Sequence, residues 1–340
     1  MATVAVGIDM AKASFVGAVC VAGQLCELGT QPNEPAGFTA LRSQLAALPG
    51  AAEQDVIHLV VEPTGGYEQA LVAFAYGQGW QVSLPNPKQV RDWAKGIGQR
   101  AKTDRQDALL LARFAAERQP APQQPLPVEV SELDSLLKRR QELTQMLHQE
   151  RMRQQTLGQR PGIAGAVVAN LQRVMEALEE ALAEVELAIE QHLRQHAHLN
   201  RERRRLLALP GVGPKTVLPL LVLLYRWQAV TSGDGDAKGL TAFVGLDPQL
   251  HESGRSVHQP STISKMGDSE VRRLLYMGAL GGVRGHNPLR LFYQRLRGRG
   301  KAAKVALVAA ARKILVWAWT LFSRQTTWDP AYGSTGNANA

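Results

Sequence analysis

Apolar residues run in short alternating or continuous bursts through the first third of the chain. Beyond it they recur at three- and four-residue steps. Val4 to Asp9, Ser14 to Val21 and Gln24 to Thr30 read as three successive strands, with Gly23 turning the second hairpin. Pro35 to Leu48 reads as a helix that sets Phe38, Leu41 and Leu45 on one face. Val56 to Glu62 is almost continuously apolar, the pattern of a strand covered on both sides. Tyr67 to Tyr76 predicts a helix, Gln81 to Leu84 a short strand, and Pro87 to Lys95 and Thr103 to Arg118 two further helices.

Three strands, a helix, then alternating strand and helix is the order of a ribonuclease H-like α/β domain over residues 1–118, a mixed sheet flanked by helices. Gln119 to Pro127 carries four prolines in nine residues and predicts a stiff extended linker. Ser131 then caps an expected helix carrying Leu133, Leu136, Leu137, Leu143 and Leu147, broken by Gly158 and Pro161-Gly162. A second helix over Gly165 to His198 spaces Leu171, Val174, Leu178, Leu182, Val185, Ile189 and Leu193 as a coiled-coil or helical-hairpin seam. Residues 128–200 therefore form an arm, either for dimer contact and nucleic-acid grip or as a plain spacer. Residues 201–325 read as a mainly helical domain ending in a helix over Lys301 to Phe322, and 326–340 as a disordered tail. The fold class is α/β plus α.

Composition narrows the partners. The 340 residues are 45% hydrophobic and 20% charged, as in an ordinary soluble protein. The apolar run Val217 to Tyr225 is interrupted by Pro219 and too short to cross a bilayer, so no membrane partner is expected. Met1-Ala-Thr-Val shows no basic segment before an apolar stretch, and Cys20 and Cys26 have no His or Cys partner at zinc spacing. These features predict a reducing, cytoplasmic setting and no structural metal. Net charge is +9, with fourteen Lys and Arg against two acids between Arg255 and Arg324. That stretch is +12 and the remainder slightly acidic, a distribution that favours a polyanionic partner.

Four carboxylates carry the candidate chemistry. Asp9 ends one apolar strand, Glu62 ends another, and Asp104 and Asp107 lie three apart at a helix start. Ending buried strands in carboxylates is unfavourable unless a cation compensates them. Taken singly each acid is an ordinary surface or capping residue, Asp104 being a natural helix cap. Taken together they suit Mg²⁺, and two ions roughly 3.5–4 Å apart would clamp the oxygens of a phosphodiester. Leu209-Pro-Gly-Val-Gly-Pro-Lys-Thr216 is a second signal, a Gly-x-Gly turn before a helix start, like the phosphate-holding turn of helix-hairpin-helix modules. A polar loop from Gly245 to Gly267 is the third, with His251, Glu252 and His258 near its hydroxyls. A serine in such a loop is most often a phosphate or cap contact, because it needs a base or metal to become a nucleophile. Lys102, Lys215, Arg255, Lys265, Arg272 and Arg273 are candidate phosphate contacts.

Gly7-Ile-Asp9-Met-Ala-Lys12, Val61-Glu62-Pro-Thr-Gly65, Lys102-Thr-Asp104-Arg-Gln-Asp107-Ala108, Leu209-Pro-Gly-Val-Gly213 and Gly245-Leu-x-Pro-x-x-x-x-Ser253-Gly254 occur in that order. Together they resemble the "IS one-ten" insertion-sequence transposases, DEDD recombinases related to the Piv/MooV invertases, over roughly residues 2–325. The resemblance implies a RuvC-like domain holding Asp9, Glu62, Asp104 and Asp107 on Mg²⁺. It implies a transposase domain whose Ser253 attacks DNA and forms a covalent phosphoserine. It further implies donor and target DNA as substrates, dimers that pair into tetramers, and a structured bridge RNA as guide. Two other activities fit the residues: a Holliday-junction-type Mg²⁺ nuclease using water, and a non-catalytic nucleic-acid-binding protein.

Overall fold

The computed structural model describes residues 3–48, 55–99, 103–249, 252–253, 257–258 and 262–329. It divides into two compact units, one of residues 1–125 with 228–234, the other of 126–227 with 235–340.

The first unit opens with strands β1 (Thr3–Met10), β2 (Ser14–Val21) and β3 (Gln24–Pro32). Ala22 and Gly23 both take positive φ, 49° and 82°, so a two-residue turn with the twist of the flanking strands joins β2 to β3. Helix α1 (Pro35–Ala46), strand β4 (Val56–Val61), helix α2 (Gln69–Gly77), strand β5 (Gln81–Ser83) and helices α3 (Pro87–Gly96) and α4 (Asp104–Arg118) follow. The sheet order is β3-β2-β1-β4-β5, with β1 antiparallel to β2 and parallel to β4. This mixed sheet between two helical layers is the ribonuclease H-like arrangement predicted from the element order.

Alternation along β1 sorts its residues between two cores. Val4, Val6, Ile8 and Met10 pack with Phe15, Phe38, Leu41 and Leu71 on the α1 and α2 side. Ala5 packs with Val60, Val90, Ala108, Leu111 and Ala112 on the α3 and α4 side. Burial stabilises by about 2 kcal/mol for each large side chain such as Phe15 or Leu41. Helix α4 lies so close to β1 that a Cβ on Gly7 would sit 2.1 Å from the Ala112 nitrogen and 2.4 Å from the Ala108 oxygen. Only glycine fits there.

Residues 119–125 are not a free linker. Gln119 ends α4 in the left-handed conformation, and Gln123 bridges to Val82 of β5. The Ser83 hydroxyl lies 3.0 Å from the carbonyls of both Pro120 and Ala121. The prolines keep the segment extended, and the sheet edge supplies its partners.

In the second unit, α5 (Val128–Leu157) and α6 (Gly165–Gln195) form the helical hairpin. Helix α5 starts at Val128 after Pro127, so Ser131 lies inside it and is not the cap. The seam is shifted from the expected one: Met175 is buried with Leu147 and Leu171, while Val174 is 40% exposed. His196 ends α6, and a separate α7 (Ala197–Leu207) follows where a continuous helix was expected.

Helices α8 (Pro214–Val230) and α9 (Ala237–Val244) come next, α8 continuing through Pro219. The polar stretch expected as a loop is instead an antiparallel hairpin in two tiers, β6 (Pro248–Gln249) with β9 (Thr262–Ile263) and β7 (Glu252–Ser253) with β8 (Val257–His258). Helices α10 (Ser269–Gly282), α11 (Pro288–Gly298) and α12 (Ala303–Arg324) complete the unit. Helix α12 is the centre of this core, packed by α7, α9, α10 and α11. It is long and apolar enough to cross a membrane, but 61% of its most apolar window is buried inside the protein. Trp328, expected in a disordered tail, packs with its ring 4.7 Å from that of Trp317, the two planes tilted by 52°. Residues 330–340 lie outside the described part.

Candidate active site

Strands β1 and β4 pair in parallel up to Ile8 opposite Val61, so Asp9 and Glu62 are the next residues on adjacent strand ends. Asp9 has the parity of Ala5, and Glu62 that of Val60, which places both on the α4 side of the sheet. On α4, Ala108 and Leu111 face that same sheet surface. Asp104 and Asp107 stand four residues ahead of them, one turn earlier on the same stripe. The close approach at Gly7 fixes the height of α4 above β1. The fold thus brings Asp9 and Glu62, far apart in sequence, to adjacent strand ends on the face that α4 covers, while Asp104 and Asp107 lie in the first turn of α4, Asp104 bordering a groove lined from β2 and β3. Asp9, Glu62 and Asp107 are half-buried and Asp104 is exposed.

Thr103, not Asp104, caps α4, its hydroxyl accepting from the Gln106 N–H at 3.2 Å. Asp104 is therefore not needed as a cap. Arg91 on α3 lies 3.8 Å from Glu62, and Arg105 pairs with Glu27 of β3. A groove of about 520 Å³ runs beside Asp104, lined by Val16, Glu27, Thr30, Thr103 and Arg105 among others. The donors are all carboxylate oxygens, with His and Cys absent from the four. That set fits a hard divalent cation such as Mg²⁺.

Two positioning residues had no signal in the sequence. Asn33 donates to the carbonyls of Ala11 at 3.4 Å and Tyr67 at 3.1 Å, tying the turn after Asp9 to the loop after Glu62. Buried Glu68 accepts from the N–H groups of Thr64 at 3.1 Å and Gly66 at 3.0 Å, holding that loop closed. Gly65 and Gly66 adopt φ of 78° and 112° there, which side-chain-bearing residues rarely take. Beneath the site, His58 is buried on the same face as Glu62 and meets the Ser83 hydroxyl at 2.8 Å. Burial lowers its pKa below the usual 6.5.

The other predicted residues, Lys102 apart, belong to the second unit. The backbone of Ser253 pairs with Val257 in the outer tier of the hairpin, while its side chain lies outside the described part. Lys102 and Arg255 lie outside the described residues altogether. The hairpin base is firmly held: Arg272 donates to the carbonyls of Val244 at 2.9 Å and Gly267 at 2.6 Å, on the two sides of the base. Arg272 is thus a strut whose Nη1 is already engaged, and Arg273 is paired with Glu270. Lys215 and Lys265 are exposed, Lys265 with φ of 56°.

The Gly-x-Gly turn divides its labour. A Cβ on Gly211 would meet Ile314 at 2.7 Å and the Gly278 carbonyl at 2.8 Å, so this glycine serves packing. Gly213 faces open space and is the one beside the helix start. A further basic surface went unread in the sequence. Arg194, Arg201, Arg204 and Arg205 line a cavity of about 540 Å³ that also touches Trp328. A neighbouring cavity of about 580 Å³ shares Trp328 and adds Arg290 and His286. Arginines beside an aromatic ring suit a nucleic-acid strand, and the joint position of residues from α6, α7, α11 and the tail has no sequence signature.

Comparison with known proteins agrees with both units. A family model described as a transposase, of the IS110 DEDD type, matches residues 6–158. A second, described as the transposase IS116/IS110/IS902 family, matches residues 203–294. The pilin gene-inverting protein of Moraxella bovis is 31% identical over 329 residues, covering 95% of this chain and 97% of that protein. Its counterpart in Moraxella lacunata has the same identity and coverage. The transposase for insertion sequence element IS1111A of Coxiella burnetii is 27% identical over 354 residues, covering 95% and 90%.

Proposed function

This chain belongs to the IS116/IS110/IS902 family of DEDD transposases and recombinases, and from that premise we propose that it moves an insertion element by Mg²⁺-dependent cutting and rejoining of DNA. The observation that supports this reading is that Asp9 and Glu62 end adjacent strands on the sheet face covered by α4, whose first turn carries Asp104 and Asp107. Four carboxylates so placed repel one another and gain from a divalent cation. Asp9, Glu62, Asp104 and Asp107 would hold one or two Mg²⁺ ions. A bound ion there supplies Lewis-acid polarisation of the scissile phosphate.

Ser253 is the nucleophile in this proposal. Its oxygen bonds to phosphorus as the bond from phosphorus to one deoxyribose oxygen breaks. The serine proton passes to a base, and the departing deoxyribose oxygen takes a proton to leave as a hydroxyl. Attack by a second strand's hydroxyl then rebuilds the diester and releases the serine. Bond energy is kept in the ester, so no ATP is required. Asn33 and Glu68 keep the carboxylate-bearing strand ends in register, and Arg272 keeps the hairpin base closed.

The exposed cations of α11 and the start of α12, Arg295, Arg297, Arg299, Lys301 and Lys304 among them, supply phosphate contacts for DNA and for a bridge RNA. Exposed Met146, Val167, Val174 and Leu187 on the helical hairpin support pairing of subunits into dimers and tetramers. The test of the metal reading is thermal unfolding with and without Mg²⁺. Mg²⁺ raises Tm in the parent protein and leaves it unchanged in Asp9→Ala/Glu62→Ala; an equal rise in both would refute the site. RNA recovered with the purified protein tests the guide, and protein free of RNA that still selects its target would refute it.

A further inference from the structure

The base of the helical hairpin brings together side chains that neither the carboxylate site nor the basic surface uses. Glu132 lies in the first turns of α5, His192 in the last turn of α6, and His196 at the break between α6 and α7. One ligand atom from each lies within 4.8 Å of the other two. His192 is buried, 7% exposed, and its ring is 4.5 Å from that of His196.

The tautomer of His192 follows from one hydrogen bond. Its Nε2 lies 2.7 Å from the backbone carbonyl of Glu129, which can only accept, so Nε2 carries the proton. In the neutral ring the lone pair is then on Nδ1. That atom faces Glu132 Oε2 at 3.7 Å, beyond hydrogen-bond range. Two acceptors facing each other across such a gap repel unless a positive charge stands between them. A proton on Nδ1 would satisfy this pair alone, whereas a cation at the centre also engages His196. A carbonyl that fixes the ring by holding the opposite N–H is the usual support of a metal-bound histidine. Nearby, His198 Nε2 is 3.2 Å from Glu129 Oε1, so that carboxylate is already occupied.

We propose that Glu132, His192 and His196 form a binding site for a transition-metal ion of the Zn²⁺ class. Two imidazoles and one carboxylate are the donor set such ions take, with Zn–N near ~2.0–2.1 Å, and three protein ligands leave a fourth position for water. Mg²⁺, which prefers all-oxygen octahedral surroundings, is a poor competitor. The ion joins the start of α5 to the junction of α6 and α7, the points from which the 30- and 31-residue arm helices extend. It acts as a clasp that sets the root of the arm.

The test uses the full-length, tag-free protein with excess Mg²⁺ present to fill the carboxylate site, titrated with Co²⁺ and followed by visible absorption. One equivalent of Co²⁺ develops the intense bands of four-coordinate nitrogen and oxygen ligation, and Zn²⁺ displaces it. His196→Ala and Glu132→Gln each weaken binding by more than about tenfold, while their Tm without transition metal stays that of the parent. Zn²⁺ raises Tm in the parent and in neither variant. Absence of the bands, or bands and Tm rise unchanged in both variants, overturns the proposal. Glu132 is exposed, so Glu132→Gln keeps the test decisive should His196→Ala fail to fold.

Discussion

The two units hold their chemistry in opposite ways. The first mounts carboxylates at the ends of two strands in the middle of a five-stranded sheet, covered by a helix that touches the backbone at Gly7. The second places the Ser253 backbone on a two-residue ladder within a hairpin whose base is braced by Arg272 and by packing at Gly267. A metal site needs several ligands held to a fraction of an ångström, which central strands provide. In the proposed mechanism the nucleophile would need only its own approach to a phosphate held at the metal site.

Breaking the carboxylate side has the largest expected effect. Glu62→Gln and Asp107→Asn each reduce DNA cleavage on the order of 10³-fold or more, with circular dichroism unchanged. Arg273→Ala, which removes a cation already paired with Glu270, changes cleavage by no more than a few-fold. Equal losses in an assay of all three would erase the contrast between the units.

Next come the positioning residues. Asn33→Ala frees the two loops beside Asp9 and Glu62 and lowers cleavage by roughly tenfold to a hundredfold, with DNA affinity retained in a filter-binding assay. A wild-type rate would remove Asn33 from the account.

Packing sharpens the comparison further. Gly7→Ala forces α4 away from β1 and destabilises the first unit by about 3 kcal/mol, measured by thermal unfolding. In the second unit Gly211→Ala loses about 2–3 kcal/mol, whereas Gly213→Ala, only two residues on, changes stability by less than about 1 kcal/mol.

The smallest effect is a pH dependence from His58. Its folded pKa lies below the unfolded value of 6.5 because burial disfavours the charged ring. The unfolded chain therefore binds more protons just below pH 6.5. The stability contribution is present above that pH and is lost as pH falls through it toward the lowered folded value. His58→Gln flattens that part of the Tm-against-pH curve by up to about one proton's worth of slope.

The sheet, and with it the strand ends that carry Asp9 and Glu62, was legible because it obeys local rules. Strands β1 and β2 are runs of mostly buried apolar residues, a two-residue turn leads from β2 into β3, and α1 shows Phe38, Leu41 and Leu45 on one face. What stayed hidden depends on partners distant in sequence. Asn33 reaches Tyr67 across 34 residues, and the proline-rich segment finds β5 across about as many. Two-residue strands such as β7 and β8 are too short to show alternation, so the hairpin read as a loop. The seam placed Val174 where Met175 packs, because spacing alone does not fix a helix's rotation to within one residue. The break at His196 interrupts no apolar periodicity. Its backbone at φ −111°, ψ 80° turns the chain where the histidines and Glu132 meet.

The most direct test of a shared catalytic centre is to trap protein on labelled DNA carrying the element ends and compare Asp9→Ala with Ser253→Ala. The account predicts a covalent adduct with the parent protein and none with either variant, although both bind DNA. An adduct that persists in Asp9→Ala, or free DNA ends made at the parent rate by Ser253→Ala, would contradict it.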